Sequence, residues 1–305
     1  MIKKTLAFMN PAQLSLQHGQ MVVRQGDGTE LVRTIPIEDI GVVLLESQQI
    51  SITAPLLDAL VQNNSAVITC NDRFMPSGLL MPIASNSLQS ERFQHQIEAS
   101  VPLRKQLWMQ TIRAKIMGQA AMLQRHNPQQ AKPLMVMADS VRSGDPDNRE
   151  AQAAAHYWKY IFKQFPSFVR DRNGEMPNPL LNYGYAILRS VVARSLVGSG
   201  LLPTLGIHHH NRYNAYCLAD DIMEPYRPVV DNKVVSILQQ QPHCEELTTD
   251  IKRQLLTIPV EDVTIDGKSS PLMVAATLTT ASLARCYAGQ SRQILYPSYN
   301  PNVNN

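Results

Sequence analysis

The sequence predicts an α+β protein in which a small β-rich N-terminal domain precedes a larger all-α domain. Two observations support this. Up to residue 82, short apolar runs alternate with glycine and proline turn signals. After Pro82, apolar residues recur at helical spacing almost to the end of the chain. With 305 residues and 44% hydrophobic content, the chain is long enough for each domain to bury a core.

The changes of pattern divide the chain into three parts. Residues 1–82 are predicted to form the β-rich domain and residues 83–296 the helical domain. Residues 297–305 contain few apolar side chains, so we expect a mobile tail.

Individual elements follow from the same patterns. Strands are predicted at 5–8, 13–16, 21–24, 30–35, 41–45, 67–69 and 79–81. A helix is expected to start near Thr53, and a long helix near Pro102, because proline is favoured in the first turn. Further helices are predicted at about 129–140, 146–164, 179–198, 218–240, 245–257 and 271–288.

The cysteines and the N-terminus indicate a cytoplasmic protein. The four cysteines are far apart, lack a CxxC pair and are expected to be reduced thiols: Cys70, Cys217, Cys244 and Cys286. One alternative is that Cys217, close to three histidines, acts as a nucleophile. The sequence has neither the apolar core of a secretory signal nor a run long enough for a membrane helix, so we expect no membrane partner.

Positive charge is concentrated in the middle of the chain. Residues 83–170 carry 12 basic and 6 acidic side chains, whereas residues 1–82 carry 5 and 7. On charge alone, an ordinary solvated helix face is the more common explanation of such a surplus. The alternative is contact with nucleic-acid phosphates, for which the candidates are Arg104, Lys105, Arg113 and Lys115.

Glu150 is the first candidate for a chemical role. In the helix predicted to start at Asp145 and Pro146, Glu150 aligns with the apolar positions Tyr157 and Ile161. A carboxylate directed at a core needs a partner or a metal ion. Alternatively, Glu150 lies near the end of the apolar stripe and reaches water or an arginine.

A second polar segment combines three histidines with carboxylates. His208, His209 and His210 precede Asp221 and Glu224, and these two acids share one face if their segment is helical. Imidazole with carboxylates suits Mn²⁺ and tolerates Mg²⁺, and the lack of thiolates argues against structural zinc. A polar loop before a capped helix would also explain the pattern.

Taken together, these segments resemble the CRISPR-associated integrase family, and most closely its branch found with type II systems. Four motifs occur in the family's order: NREA at 148–151, LNYGYAIL at 181–188, GIHH at 206–209 and LADDIMEPYRP at 218–228. The resemblance extends over nearly the whole chain. Each motif alone is weak, but four in order are specific.

The resemblance implies a site that binds Mg²⁺ or Mn²⁺. By position, the metal ligands and catalytic residues would be Glu150, His209 and Glu224, with Asp221 in a supporting role. Because His208 and His210 flank His209, either one is an alternative ligand.

The family's activity implies insertion of captured DNA fragments into a CRISPR array. A 3′-hydroxyl of the fragment would attack a phosphodiester at a repeat boundary. The implied partners are the captured duplex, the repeat and leader DNA, and a second copy of the chain that pairs through the β-rich domain. A small ferredoxin-like protein dimer would bridge two such dimers, and the type II effector nuclease is a further candidate partner.

Two rival functions remain open from the sequence. A metal-dependent nuclease would use the same ligands with water as the nucleophile. A helical DNA-binding scaffold would use these polar groups only structurally. Joining of strands distinguishes an integrase from a nuclease, and metal-dependent activity argues against the scaffold.

Overall fold

The computed structural model describes residues 3–25, 31–84, 86–162, 165 and 168–298. The chain forms two units, Met1–Ser87 and Leu88–Asn305, so the division falls after residue 87. Of the mobile tail expected at 297–305, residues 299–305 lie outside the described residues. Ser298, which is described, donates its backbone N–H to the carbonyl of Thr264 at 2.8 Å.

The first unit contains eight described strands in two four-stranded sheets. The strands are β1 Lys4–Phe8, β2 Ala12–Gln17, β3 Gln20–Gln25, β4 Leu31–Pro36, β5 Ile40–Leu45, β6 Ile50–Ile52, β7 Ala66–Cys70 and β8 Pro76–Leu80. One sheet has the order β4-β3-β2-β6 and the other the order β1-β5-β7-β8. Helix α1 spans Ala54–Gln62, with Thr53 at its N-cap and proline in its first turn.

Two local patterns explain how these sheets form. Strand β5 is the continuous apolar run, and it pairs in parallel with β1 on one side and β7 on the other. A strand inside a parallel sheet is buried on both faces, as the run predicts. His18 and Gly19 both have positive φ, so they close the β2–β3 hairpin with a two-residue turn.

The second unit is mainly helical. Its helices are α2 Gln89–Ile97, α3 Val101–His126, α4 Ala131–Asp139, α5 Arg149–Ile161, α6 Asn178–Gly198, α7 Cys217–Met223, α8 Arg227–Gln240, α9 Thr249–Leu255 and α10 Leu272–Tyr287. Helix α6 is largely buried and packs against α7, α8 and α10. Among the described residues, no helix combines the length and apolar composition needed to cross a membrane.

The expectation of an all-α second domain is wrong in one respect. Strands β9, Asp262–Ile265, and β10, Lys268–Pro271, form an antiparallel hairpin. Asp266 and Gly267 both have positive φ and make its two-residue turn. An Asp-Gly pair between alternating residues is a strong hairpin signal, which the surrounding helical periodicity obscured.

The helix predicted at 218–240 is divided where the candidate site lies. Helix α7 ends at Met223, a 3-10 turn covers Glu224–Tyr226, and α8 starts at Arg227. Pro225 has no N–H with which to continue the α-helical hydrogen bonds, so the interruption follows from its chemistry. The turn directs Glu224 inward, where its side chain is only 7% exposed.

Candidate active site

Glu150 lies in the first turn of α5. The carboxylate of Asp145 accepts from the backbone N–H groups of Arg149 and Glu150, at 2.8 and 3.0 Å. These are N–H groups that a helix leaves without an internal partner, so Asp145 fixes the start of α5. The side chain of Glu150 is 24% exposed, and its Oε1 lies 2.6 Å from Lys115 Nζ.

Glu224 is held by two cations. Its Oε1 accepts from Arg227 Nε at 2.8 Å, and its Oε2 lies 2.6 Å from Lys115 Nζ. Burial raises the pKa of Glu224, but the charges of Arg227 and Lys115 outweigh this effect and lower the pKa to about 2. Glu224 is therefore a carboxylate throughout the physiological pH range.

Lys115 joins the two glutamates. Its ammonium is shared by Glu150 on α5 and Glu224 in the 3-10 turn, and its side chain is 11% exposed. Burial lowers the pKa of Lys115, but the two carboxylates more than offset this and raise it above its usual value. The centre of the site therefore contains one buried positive charge between two negative ones.

A buried polar cluster fixes Arg227. Its guanidinium lies over the ring of Tyr185, with 4.5 Å between the guanidinium carbon and the ring centroid. Tyr185 in turn donates to Asp231, which also accepts from Tyr157 at 2.9 Å. Burial raises the pKa of Asp231 to about 6 although both tyrosines lower it. The cluster borders a cavity of about 130 Å³ that Lys115, Glu224 and Arg227 also line.

The histidine segment is organised by Asp221. This fully buried carboxylate accepts from the backbone N–H groups of Ile207 and His208, at 2.7 and 2.9 Å, and from Nδ1 of His209. A carboxylate only accepts, so Nδ1 of His209 carries the proton and Nε2 remains as the basic nitrogen. The hydrogen bond to Asp221 raises the pKa of His209, although partial burial lowers it.

Gly206 allows the segment to turn this closely. A Cβ at this position would lie 2.3 Å from the carbonyl oxygen of His209 and 2.9 Å from Oδ2 of Asp221. Neither the backbone nor the buried carboxylate can move away without breaking the hydrogen bonds just described. The glycine is therefore part of the structure that holds His209.

The flanking histidines have different environments. His208 stacks on the buried ring of Trp108, with 4.2 Å between centroids and 4° between planes, and Trp108 meets the edge of His209 at 5.6 Å. Partial burial and the charge of His209 lower the pKa of His208. His210 is exposed. Only His209 is hydrogen bonded to Asp221 through its ring.

The site offers the kinds of side chain that bind the divalent ion expected from the sequence. Their arrangement is less close than a metal site requires. Glu150, Glu224 and His209 supply carboxylate and imidazole groups, which suit Mn²⁺ or Mg²⁺. Within the part of the chain that the structure describes, no three metal-binding side chains converge tightly enough to hold an ion. Between the two glutamates, the Lys115 ammonium already occupies the central position.

The four candidate phosphate contacts on α3 differ in exposure. Lys105 and Arg113 are exposed, and Arg104 is half-buried. Arg113 lies 3.5 Å from the exposed carboxylate of Asp139. Lys115 is separate from this set because it is buried and paired with two carboxylates.

Sequence reasoning missed the contributions of Trp108, Tyr185 and Arg227. One signal was available for Lys115 itself. Thr111, Lys115 and Gln119 follow one another at four-residue spacing in α3, and all three are buried. Each of the three directly precedes an apolar residue of the core stripe, Ile112, Ile116 or Ala120, so the sequence places this polar stripe at the edge of the buried face.

Comparison with known proteins identifies the family. The family described as CRISPR associated protein Cas1 matches residues 6–256. The CRISPR-associated endonuclease Cas1 of Neisseria meningitidis is 41% identical over 254 residues, which are 83% of this chain and 82% of that protein. A CRISPR-associated endonuclease Cas1 of Pyrobaculum aerophilum is 27% identical over 288 residues, covering 90% and 95% of the two chains.

Solved structures share the fold at low sequence identity. A casposase bound to integration product superimposes with a TM-score of 0.81 at 18% identity and covers 100% of this chain and 96% of its own. A Cas1 protein from Thermotoga maritima gives a TM-score of 0.72 at 14% identity, covering 96% and 99%. These similarities confirm the mixed α+β class. The family match over residues 6–256 and the 41% identity to the Neisseria meningitidis protein lead to the conclusion that this chain belongs to the Cas1 family of CRISPR-associated proteins.

Proposed function

We propose that this chain is a metal-dependent DNA integrase that inserts captured DNA fragments into a CRISPR array. Membership of the Cas1 family supports this proposal. So does the fold shared with a casposase that was solved bound to its integration product. The similar protein of Neisseria meningitidis is described as an endonuclease, which keeps strand cleavage as the second candidate.

The observation that carries the proposal is the orientation of His209 by a buried carboxylate. Metal-binding histidines typically donate their second ring N–H to a carboxylate or carbonyl, and this sets the other nitrogen towards the ion. His209 has this arrangement with Asp221, which favours His209 over His208 and His210 as the ligand. With Glu150 and Glu224, it forms the proposed ligand set.

Phosphodiester exchange forms a bond of the kind that it breaks, so catalysis depends on alignment and on neutralising charge. The bound ion would polarise a phosphoryl oxygen and lower the pKa of the attacking 3′-hydroxyl. The chain's own residues prepare the ligands. Asp221 orients His209, and Arg227, held against Tyr185, fixes one oxygen of Glu224.

The proposed substrates and partners follow from the family and its structural neighbours. The substrates are a captured duplex and the repeat with its leader, with phosphate contacts from Arg104, Lys105 and Arg113. One structural neighbour is a Cas6-RT-Cas1–Cas2 complex, which supports a small Cas2-like partner. The proposed assembly contains two homodimers of this chain bridged by one partner dimer. From the resemblance of its motifs, we propose that the chain belongs to a type II system and that the effector nuclease is a further partner.

Incubation of the purified chain and its small partner with a labelled duplex and a supercoiled, repeat-bearing plasmid tests the proposal. We expect label in the plasmid only when Mn²⁺ or Mg²⁺ is present. Metal-dependent shortening of the DNA without joining would instead support the nuclease. Binding without either reaction would support the scaffold.

A further inference from the structure

Among the residues that the structure describes, Lys115 is the cation that contacts both proposed carboxylate ligands. Its Nζ lies 2.6 Å from Glu150 Oε1 and 2.6 Å from Glu224 Oε2. Two carboxylates in a buried site repel each other and lose hydration, so they need a positive charge between them. Lys115 supplies this charge in the structure.

Only one of the two cations at Glu224 stands between the carboxylates. Arg227 binds the other oxygen of Glu224 and is held by the ring of Tyr185. A lysine, by contrast, is a compact charge on a flexible four-carbon stem, so its ammonium can move while its helix stays in place. Lys115 can therefore leave the carboxylates without unfolding α3.

A divalent ion and an ammonium cannot both occupy this position. An ion held by Glu150 and Glu224 would share both carboxylates with the ammonium, and like charges that lie so close repel strongly where water is largely excluded. We propose that Lys115 is an internal counter-ion that holds Glu150 and Glu224 together in the metal-free chain and is displaced when the divalent ion binds. This inference rests on the ligand set of the proposed function.

Displacement would make Lys115 more accessible. In the structure the Lys115 side chain is 11% exposed and its ammonium is ion-paired, so a reagent for amines reaches it only during local opening. After displacement, the ammonium no longer has two carboxylate partners. The chemical reactivity of Lys115 therefore reports the proposed movement directly, without an assay of joining.

The test is to acylate the full chain lightly with an amine-reactive ester in EDTA or in saturating Mn²⁺ and to measure each lysine by mass spectrometry. We expect Mn²⁺ to increase the labelling rate of Lys115 by about tenfold, because a protected amine reacts only from an opened state. The exposed Lys105 on the same helix is the internal control, and its rate should not change.

Measuring Mn²⁺ binding to the wild type and to one variant distinguishes a failure of the displacement from a failure of the proposed ligand set. Mn²⁺ binding is followed by electron paramagnetic resonance of the unbound ion, for the wild type and for Glu150→Gln. Binding that Glu150→Gln abolishes, without faster labelling of Lys115, would overturn the displacement and leave the ligand set intact. Absence of Mn²⁺ binding to the wild type would overturn both.

A stability comparison provides a second test. Lys115→Met leaves the two carboxylates without their shared cation, so we expect a lower melting temperature than wild type in EDTA. In saturating Mn²⁺ this difference should shrink or reverse, because the ion replaces the ammonium. Lys233→Met is the matched control, since it removes a 2.8 Å ion pair with Glu261 elsewhere. An equal deficit for Lys115→Met with and without Mn²⁺ would contradict displacement.

Discussion

Asp221 holds both the imidazole ring of His209 and the backbone of the segment that carries this ring. Its carboxylate accepts from Nδ1 of His209 and from the N–H groups of Ile207 and His208. The position of the ring and the path of the chain that carries it are therefore set by one side chain. The orientation of the basic Nε2 depends on a residue that need not contact the metal.

Asp221→Asn tests this dependence. The amide retains one accepting oxygen where the carboxylate has two, so the ring of His209 loses its orientation. We expect the affinity for Mn²⁺ to fall by about 10-fold to 100-fold, as for other residues that orient metal ligands. Isothermal titration calorimetry measures this change, and circular dichroism checks that the fold persists. Unchanged affinity would remove Asp221 from the site.

Glu150→Gln, His209→Ala and Glu224→Gln should each abolish joining, because each removes a proposed metal ligand. Their costs in stability should differ. Breaking the buried contacts of Glu224 with Arg227 and Lys115 should cost about 3–5 kcal/mol, whereas Glu150 is partly exposed and should cost less. Urea unfolding in EDTA measures the difference. Joining retained by any variant would exclude that residue as a ligand.

Neutralising Arg104, Lys105 and Arg113 together tests whether these three residues contact DNA phosphates. Each phosphate contact that is lost reduces the slope of log affinity against log salt by about 0.9, so the combined slope should fall by roughly 2 to 3. Affinity should weaken alike for unrelated DNA sequences, as measured by fluorescence anisotropy over a range of salt concentrations. A slope equal to that of the wild type would locate the DNA-binding surface elsewhere.

Asp231 gives a prediction for pH. It faces Tyr157 from α5, Tyr185 from α6, and the charges of Arg227 and Arg170. Its pKa rises on folding from 3.8 to about 6, so its contribution to stability is present below about pH 4 and is lost as pH rises through about 6. The contribution of Asp231 to the free energy of unfolding is about 3 kcal/mol, since one pKa unit corresponds to about 1.4 kcal/mol.

Asp231→Asn isolates this contribution. Subtracting the variant's free energy of unfolding from that of the wild type cancels the other titrating groups. The difference should fall by about 3 kcal/mol between roughly pH 4 and pH 7. Urea denaturation at several pH values supplies the curves. A difference that does not vary with pH would mean that folding does not raise the pKa of Asp231.

The fold was largely predictable because its signals are local. Strand β5 follows from a continuous apolar run. The single helix predicted at 218–240 instead breaks after Met223, because Pro225 interrupts its hydrogen bonds. The hairpin at Asp266 and Gly267 was missed because four-residue strands between helices carry little periodicity. Helix α2 was missed as well, since its only buried residue is Gln96.

The site was predictable in its residue types but less so in its contacts. Glu150 and Lys115 are 35 residues apart, and no local pattern announces such a pair. Lys115 was assigned to phosphate binding because of its charge alone, whereas the structure buries it between two carboxylates. Charge along a sequence indicates a surface only when the helix face is also known.

The identity of the nucleophile tests the integrase proposal most directly. The purified chain and its small partner are given metal, a repeat-bearing plasmid, and a donor duplex whose two strands both end in dideoxynucleotides. If the donor's 3′-hydroxyl attacks the phosphorus, this duplex should bind as tightly as the normal one and yield no joined product, and a donor blocked at one end should yield only half-site joining. Joining that persists with both ends blocked would contradict the mechanism.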